Sequence, residues 1–151
     1  MVLMIILGAK SFSEVLAFSG ASSGLVEFAL GWHVAGITIF ILMQIVTLIM
    51  GMFMSTSAVV MVSLPLFMPI IRSLGFSEVW FAVVFLLNLE MATTSPPFGL
   101  NLFVMKGVAP SGTSLEDIYR AALPFLYCDL VAMALIIIFP SLALWLPGLK
   151  F

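Results

Sequence analysis

Residues 88–104 read NLEMATTSPPFGLNLFV, and this stretch decides the fold. Apolar runs lie on both sides of it, so the sequence predicts a membrane helix that is interrupted at Pro96 and Pro97. A proline has no N–H, and these two therefore deny hydrogen bonds to the carbonyls of Ala92 and Thr93, four residues earlier. In hydrocarbon, such carbonyls need a partner from protein, water or an ion.

The composition of the whole chain indicates a membrane protein. Of its 151 residues, 64% are hydrophobic and 8% are charged, whereas roughly a quarter of an average soluble domain is charged. Five basic and seven acidic residues cannot cover a domain-sized core, so lipid must solvate much of the surface. A net charge of −2 without a basic run excludes nucleic acid as a partner. We therefore expect an all-α integral membrane protein embedded in a lipid bilayer.

Oxygen-bearing side chains cluster around the proline pair. The hydroxyls of Thr93, Thr94 and Ser95 precede it, and Gly99 and Asn101 follow it. Hard oxygen donors of this kind suit a small cation such as Na⁺, which the backbone carbonyls of Ala92 and Thr93 would also bind. The alternative is a proline kink that serves packing alone.

A second hydroxyl cluster, Ser55, Thr56 and Ser57, interrupts another apolar region. Residues 33–54 before it contain no charged side chain and can cross a bilayer, whereas the polar link is too short for a comfortable loop. We predict a re-entrant hairpin with these hydroxyls at its tip. On the spanning helix, Gln44, Thr47 and Gly51 share one face, which we expect to point into the bundle.

Glu90 lies one turn before the predicted break and is a candidate intramembrane acid. The alternative is a structural ion pair with Lys106 or Arg72, or exposure to a water-filled vestibule. Asn88 has the same two interpretations, functional or structural.

Along the chain we expect one membrane domain in four segments. Residues 1–31 form an interrupted membrane helix, 32–76 a spanning helix and the hairpin, 77–110 the broken helix, and 111–151 an interfacial helix and a last membrane helix. The first residues are apolar without a basic region or a cleavage site, so we expect the chain to open inside a membrane helix, as a fragment would.

Enzyme chemistry has little support in the sequence. His33 has no second histidine or cysteine partner for a metal site, and no Gly-x-Ser-x-Gly elbow is present. The lone Cys128 is interpreted as a buried packing residue. We expect a protein that is not an enzyme and needs no cofactor apart from Na⁺ as a coupling ion.

Two long motifs, GMFMSTSAVVMVSLPLFMPI (residues 51–70) and NLEMATTSPPFGLNLFVMKGVAP (residues 88–110), resemble the large permease subunit of tripartite ATP-independent periplasmic (TRAP) transporters. The closing IYRAALPFLYCDL (118–130) and FPSLALWLP (139–147) resemble the end of that subunit. The similarity covers most of the chain and corresponds to the carboxyl-terminal half of the subunit.

The resemblance implies an elevator-type carrier of the bacterial inner membrane with several membrane passes. It takes an organic acid, such as a C4-dicarboxylate, from a periplasmic substrate-binding protein, uses a sodium gradient and works with a small TRAP membrane subunit. This chain would hold the second of two inverted repeats. Residues 55–58 would be the hairpin tip, and residues 93–99 with Asn101 the unwound sodium-binding stretch.

Two positions depart from the family pattern. Many relatives carry an acid where Ser55 stands, which puts the charge balance of the tip in doubt, and often a glycine where Ala92 stands. Two other functions stay open. One is a carrier like the divalent-anion/sodium symporters, which would need no binding protein. The other is a membrane remnant or structural subunit that does not transport.

Overall fold

The structure, a computed structural model, describes residues 2–31, 34–96, 98–110 and 112–148. Within these ranges the chain forms helices joined by short turns, which confirms the predicted all-α fold. In chain order they are α1 (Val2–Phe18), α2 (Ala21–Gly31), α3 (Gly36–Phe53), α4 (Thr56–Ser73), α5 (Glu78–Thr94), α6 (Leu100–Val108), α7 (Leu115–Ile138) and α8 (Ser141–Gly148).

Three of the described helices, α3, α4 and α7, are long and apolar enough to cross a membrane. The first two contain 18 residues each and α7 contains 24. At 1.5 Å per residue, these lengths approach or exceed a hydrocarbon core of about 30 Å. The prediction of a helical membrane protein is therefore confirmed. That the link between α3 and α4 stops inside the membrane stays a prediction.

The first two helices pack beside α4. α1 ends at Phe18, and Gly20 has a φ of +73°, a left-handed conformation that glycine adopts without strain. α2 begins at the next residue, so Ser19 and Gly20 interrupt the helix. Both α1 and α2 contact α4.

Helices α3, α4 and α5 supply the core. Phe40 of α3 stacks on Trp80 of α5 with ring centroids 4.5 Å apart. Because lipid chains are as apolar as these side chains, close packing holds the core together more than the hydrophobic effect does. Gln44, Thr47 and Gly51 are all buried on α3, so the predicted inward face is confirmed. The core side chains are Ile39, Phe40, Met43, Val59, Ile70, Ile71, Trp80, Phe81, Val84, Phe85 and Leu89.

α4 and α5 form an antiparallel hairpin around Gly75, whose φ is +73°. Near the turn, Arg72 Nε donates to Glu78 Oε1 at 2.7 Å. Further along, the rings of Phe67 and Phe85 meet edge to face with centroids 6.4 Å apart. The carboxyl end of α5 therefore lies near the amino end of α4, which follows the link between α3 and α4.

A hydrogen bond joins α5 to the end of α7. Pro140 has no N–H, so the carbonyl of Ile136 lacks its normal helical donor. The indole Nε1 of Trp80 donates to that carbonyl oxygen at 2.9 Å. One side chain therefore satisfies an acceptor that proline left without a donor and holds two helices together.

The last segment differs in detail from its predicted division. Residues expected in a separate interfacial helix and a span form one helix, Leu115–Ile138, and α8 follows. Helix α7 begins at a capping box, where Ser114 Oγ accepts from Asp117 N at 3.1 Å. Cys128 is exposed, so its interpretation as a buried packing residue is wrong. Its neighbour Tyr127 is 70% exposed, which places this side of α7 away from the bundle.

We predict that Trp80→Phe destabilises the protein. The phenyl ring keeps an aromatic surface against Phe40 but cannot donate to Ile136, and an unsatisfied acceptor costs about 1–3 kcal/mol. A lower midpoint of thermal unfolding in detergent would report this loss. Trp145→Phe is the control, because Trp145 is 68% exposed. Equal shifts in the two variants would contradict the role of the indole N–H.

Candidate functional site: the helix break between α5 and α6

The predicted interruption is present between Thr94, where α5 ends, and Leu100, where α6 begins. Ser95 has an extended backbone, with φ −84° and ψ 132°, as expected for a residue that precedes proline. Pro96 is half-buried, and Pro97 lies outside the described residues. The carboxyl end of α5 and the amino end of α6 therefore face the same short gap.

The hydroxyls of the last turn of α5 donate to carbonyls of their own helix. Thr93 Oγ1 donates to the Glu90 carbonyl at 2.8 Å, and Ser95 Oγ donates to the Met91 carbonyl at 2.7 Å. Thr94 Oγ1 lies within 3.3 Å of the Glu90 carbonyl oxygen and 3.1 Å of that of Met91. Each hydroxyl oxygen keeps lone pairs that can accept a bond or bind a cation.

The two carbonyls that the prolines were expected to leave bare differ from each other. Ser95 N donates to the Ala92 carbonyl at 3.2 Å, because the helix tightens to a shorter turn at its end. The prediction that Ala92 has a bare carbonyl is therefore wrong. Among the described residues, no N–H donates to the Thr93 carbonyl oxygen. This oxygen remains available as a backbone ligand at the break.

Gly99 folds back against the carbonyls of the break. A Cβ at this position would lie 2.7 Å from the Thr93 carbonyl oxygen and 2.9 Å from that of Ser95. The Gly99 N–H also donates to the Ser95 carbonyl at 3.0 Å. The absence of a side chain is thus what lets the chain after the prolines return to these oxygens.

Asn101 joins the two halves of the broken helix. Its Nδ2 donates to Thr93 Oγ1 at 3.0 Å, so the α6 amide is held against the end of α5. Asn101 is exposed, whereas Thr93 is buried. The structure therefore brings together three of the predicted site residues, Thr93, Gly99 and Asn101.

The link between α3 and α4 lies beside the break. The Phe53 and Phe98 rings have centroids 4.9 Å apart. A Cβ on Gly51 would lie 2.6 Å from the Ala92 Cβ, so α3 and α5 are in close contact just before the link and the break. The second hydroxyl cluster follows directly: Ser55 precedes α4, which begins at Thr56.

The hydroxyls of the second cluster are open to the surroundings. Ser55 and Ser57 are exposed and Thr56 is half-buried. Within the described part of the chain, none of the three makes a side-chain hydrogen bond to the break, and Ser55 does not cap α4 with its hydroxyl. These hydroxyls lie near the break because the end of α3 contacts it through Gly51 and Phe53.

Glu90 is exposed one turn before the break. The structural ion pairs considered for it are wrong: Arg72 pairs with Glu78 at 2.7 Å, and Lys106 Nζ donates to the Thr113 carbonyl. In the described ranges, Glu90 forms no ion pair. Its carboxylate is therefore free to face water or another part of the assembly.

The sequence did not identify one polar pair, Gln44 and Asn88. Asn88 Nδ2 donates to the Gln44 backbone carbonyl at 2.6 Å and to its side-chain Oε1 at 2.9 Å. Both residues are buried. The sequence shows that both polar residues lie in apolar helical segments, but this pattern alone does not predict that they contact each other.

Chemically, the break offers hard oxygen atoms, two helix ends and backbone carbonyls that receive no N–H from the described residues, that of Thr93 among them. The carboxyl end of α5 favours a cation, and the amino end of α6 favours an anion. The described residues contain no cluster of three His, Cys, Asp or Glu side chains that would hold a transition metal. The arrangement suits reversible binding of a small cation and an anion, with no group placed for covalent catalysis.

Residues 1–142 match the protein family described as the DctM component of the tripartite ATP-independent periplasmic transporter. The C4-dicarboxylate TRAP transporter large permease protein of Pseudomonas aeruginosa is 32% identical over 98% of this chain. The ectoine TRAP transporter large permease of Halomonas elongata is 29% identical over 94%, and the sialic acid one of Vibrio cholerae 26% over 98%.

The chain spans about a third of the length of these relatives: 34%, 33% and 34%, respectively. The family consists of transporters of the bacterial inner membrane and not of enzymes, which confirms both expectations. With its interrupted helix and three candidate spans, this chain belongs to the DctM family, the large permease component of TRAP transporters.

Proposed function

We propose that the chain is a transport-site unit of a TRAP permease, which takes up an organic acid with sodium as the coupling ion. The observation that carries the proposal is the interrupted helix. The carboxyl end of α5, the amino end of α6 and the carbonyl of Thr93, to which no N–H of the described residues donates, meet at one gap. A helix that is broken at membrane depth is tolerated where the freed backbone groups line a cavity or bind an ion.

Sodium is the cation that this donor set supports. The available ligands are neutral oxygens: the Thr93 carbonyl, the hydroxyls of Thr93 and Ser95, and the amide oxygen of Asn101. Neutral hard oxygens suit a monovalent ion that must be released again in each cycle. An inward electrical potential would supply about 2.3 kcal/mol for each charge per 100 mV.

The anion would be held by helix amino ends. α4 begins at Thr56 and α6 begins at Leu100, and their first N–H groups have no partners within the helix. Exposed hydroxyls at Ser55 and Ser57 add neutral donors. The relatives are named for C4-dicarboxylates, ectoine, sialic acid and isethionate, which carry a carboxylate or a sulfonate group, so the proposed substrate class is an organic acid.

The proposed partners follow from the family. They are a small TRAP membrane subunit and a periplasmic substrate-binding protein. The double name of one similar protein, the isethionate permease DctMQ of Oleidesulfovibrio alaskensis, suggests the small subunit. The chain covers about a third of its relatives, so the complete site would also include the part of the permease that it does not cover.

We predict that Gly99→Ala lowers sodium affinity in the complex isolated from its native membrane through a tag on this chain. A methyl group at 2.7 Å from the Thr93 carbonyl oxygen forces the break to open and misplaces that oxygen. The half-saturating sodium concentration for organic-acid uptake into proteoliposomes should rise by about tenfold or more, equivalent to roughly 1.4 kcal/mol.

Gly107→Ala is the matched control for that experiment. It also lies on α6 and is exposed, and a Cβ there meets nothing within 4 Å. Uptake that does not depend on sodium in the unmodified complex would contradict the coupling ion. Equal sodium affinity in both variants would contradict the site.

We also predict that uptake requires a soluble binding protein. Proteoliposomes that hold the complex should accumulate radiolabelled organic acid only after the binding protein encoded with the transporter is added to the outside. Equal uptake without it would favour a carrier of the divalent-anion/sodium symporter kind. Absence of uptake and of sodium binding under both conditions would favour a subunit that does not transport.

A further inference from the structure

The interface between α3 and α5 contains a polar seam, which we define as Gln44 and Asn88. Asn88 is 1% exposed and Gln44 is 6% exposed, so both lie inside the bundle. The amide nitrogen of Asn88 donates to two oxygens of Gln44. The distance is 2.6 Å to the backbone carbonyl oxygen and 2.9 Å to the side-chain Oε1. One amide group therefore holds both the backbone and the side chain of Gln44.

The seam lies on two helices that run in the same direction. Phe40 contacts Phe81 at 6.3 Å between ring centroids, Gln44 contacts Asn88, and Gly51 comes up against Ala92. Later residues of α3 thus meet later residues of α5. Both helices leave this interface at functional points: α3 ends at the Ser55 link, and α5 ends at the break.

A slip of one helix along the other would weaken the seam. A shift of one residue moves the backbone by 1.5 Å, which would lengthen and misalign both bonds from Asn88 together. The Gln44 Nε2 is buried and has no hydrogen-bond partner among the described residues, so it adds no bond of its own to the seam. The hydrogen bonds of the seam therefore depend on the donor group of Asn88, beside the packing contacts of Phe40 and Gly51.

We propose that Asn88 is a positioning residue that, through Gln44, sets the distance between the α3–α4 link and the α5–α6 break. It does not touch the cation or the anion. It keeps the α3–α4 link, which carries the Ser55 hydroxyl cluster, beside the break, so that both ligands can be bound at once. This inference rests on the proposed function for its effect on transport, but its effect on geometry can be measured separately.

The geometric test uses a pair of cysteines, Phe53→Cys and Phe98→Cys, in a Cys128→Ser background, within the isolated complex. The native rings are 4.9 Å apart, so a short bifunctional methanethiosulfonate should join the two thiols. Asn88→Leu, which keeps the shape of the side chain but removes the donor, should slow the cross-linking several-fold. An unchanged cross-linking rate in the folded variant would overturn the proposal.

The functional test measures sodium dependence in the same complex with native Phe53 and Phe98. Asn88→Leu should raise the half-saturating sodium concentration about tenfold while the maximal uptake rate falls less. Exchanging the two side chains, by Gln44→Asn together with Asn88→Gln, restores an amide donor across the interface and should recover part of the affinity. A purely structural loss would instead lower the amount of folded complex and leave the affinity of the remainder unchanged.

Ser63→Ala is the matched control, because Ser63 is 1% exposed on α4 and its hydroxyl has no partner among the described residues. It should change neither cross-linking nor sodium affinity. If Asn88→Leu does not fold, Gly51→Ala replaces it, since its methyl group would meet Ala92 at 2.6 Å and push the same helices apart.

Each result decides one of the two ideas. Normal cross-linking and normal sodium affinity in Gly51→Ala would also overturn the positioning role. If the unmodified complex shows no sodium-dependent uptake, the proposed function fails, and the cross-linking comparison still decides whether Asn88 sets the distance.

Discussion

A backbone carbonyl or N–H at membrane depth must have a partner, because hydrocarbon supplies none and each unsatisfied group costs several kcal/mol. In this chain, prolines repeatedly remove donors. The carbonyl of Ile136 lacks a helical donor because residue 140 is a proline, and the indole N–H of Trp80 donates to it instead. At the break, a tighter turn supplies Ala92 with the N–H of Ser95, whereas the Thr93 carbonyl receives no such donor within the described ranges. The difference separates a structural proline from one that creates a binding group.

The break is held in shape by contacts that surround it. Asn101 joins α6 to the end of α5, and Gly99 lets the intervening chain fold back on the carbonyl oxygens. On the other side, α3 runs along α5 and ends beside the break, where the Phe53 and Phe98 rings meet. The site is therefore a product of three helices, although the residues expected to bind sodium lie within one short stretch.

The membrane class and the places where helices end could be predicted because they depend on composition and on local chemistry. Proline pairs and glycines act on their immediate neighbours, so the helix break around Pro96 could be located without tertiary information. Contacts between distant residues could not. Asn88 and Gln44 are 44 positions apart, and their meeting depends on which faces α3 and α5 present to each other.

The ion pairs illustrate the same limit. An ion pair between Arg72 and Glu90 was one interpretation of the sequence. The tight turn around Gly75 instead brings Glu78 close to Arg72, and these two residues form the ion pair. The hydroxyls of α5 likewise turn back to their own helix, where carbonyls lie one turn away. In both cases the polar group binds a partner that is close in sequence, whereas the sequence alone was compatible with several partners.

The contact between Gly51 and Ala92 leaves space for a single methyl group between two helices. That group can in principle stand on either helix, but there is no room for one on each. A chain with glycine at position 92 could accommodate alanine at position 51 with the same separation. The pair would then vary together across species while the gap between the helices stays constant, so a substitution that looks harmful in one homologue would be silent in another.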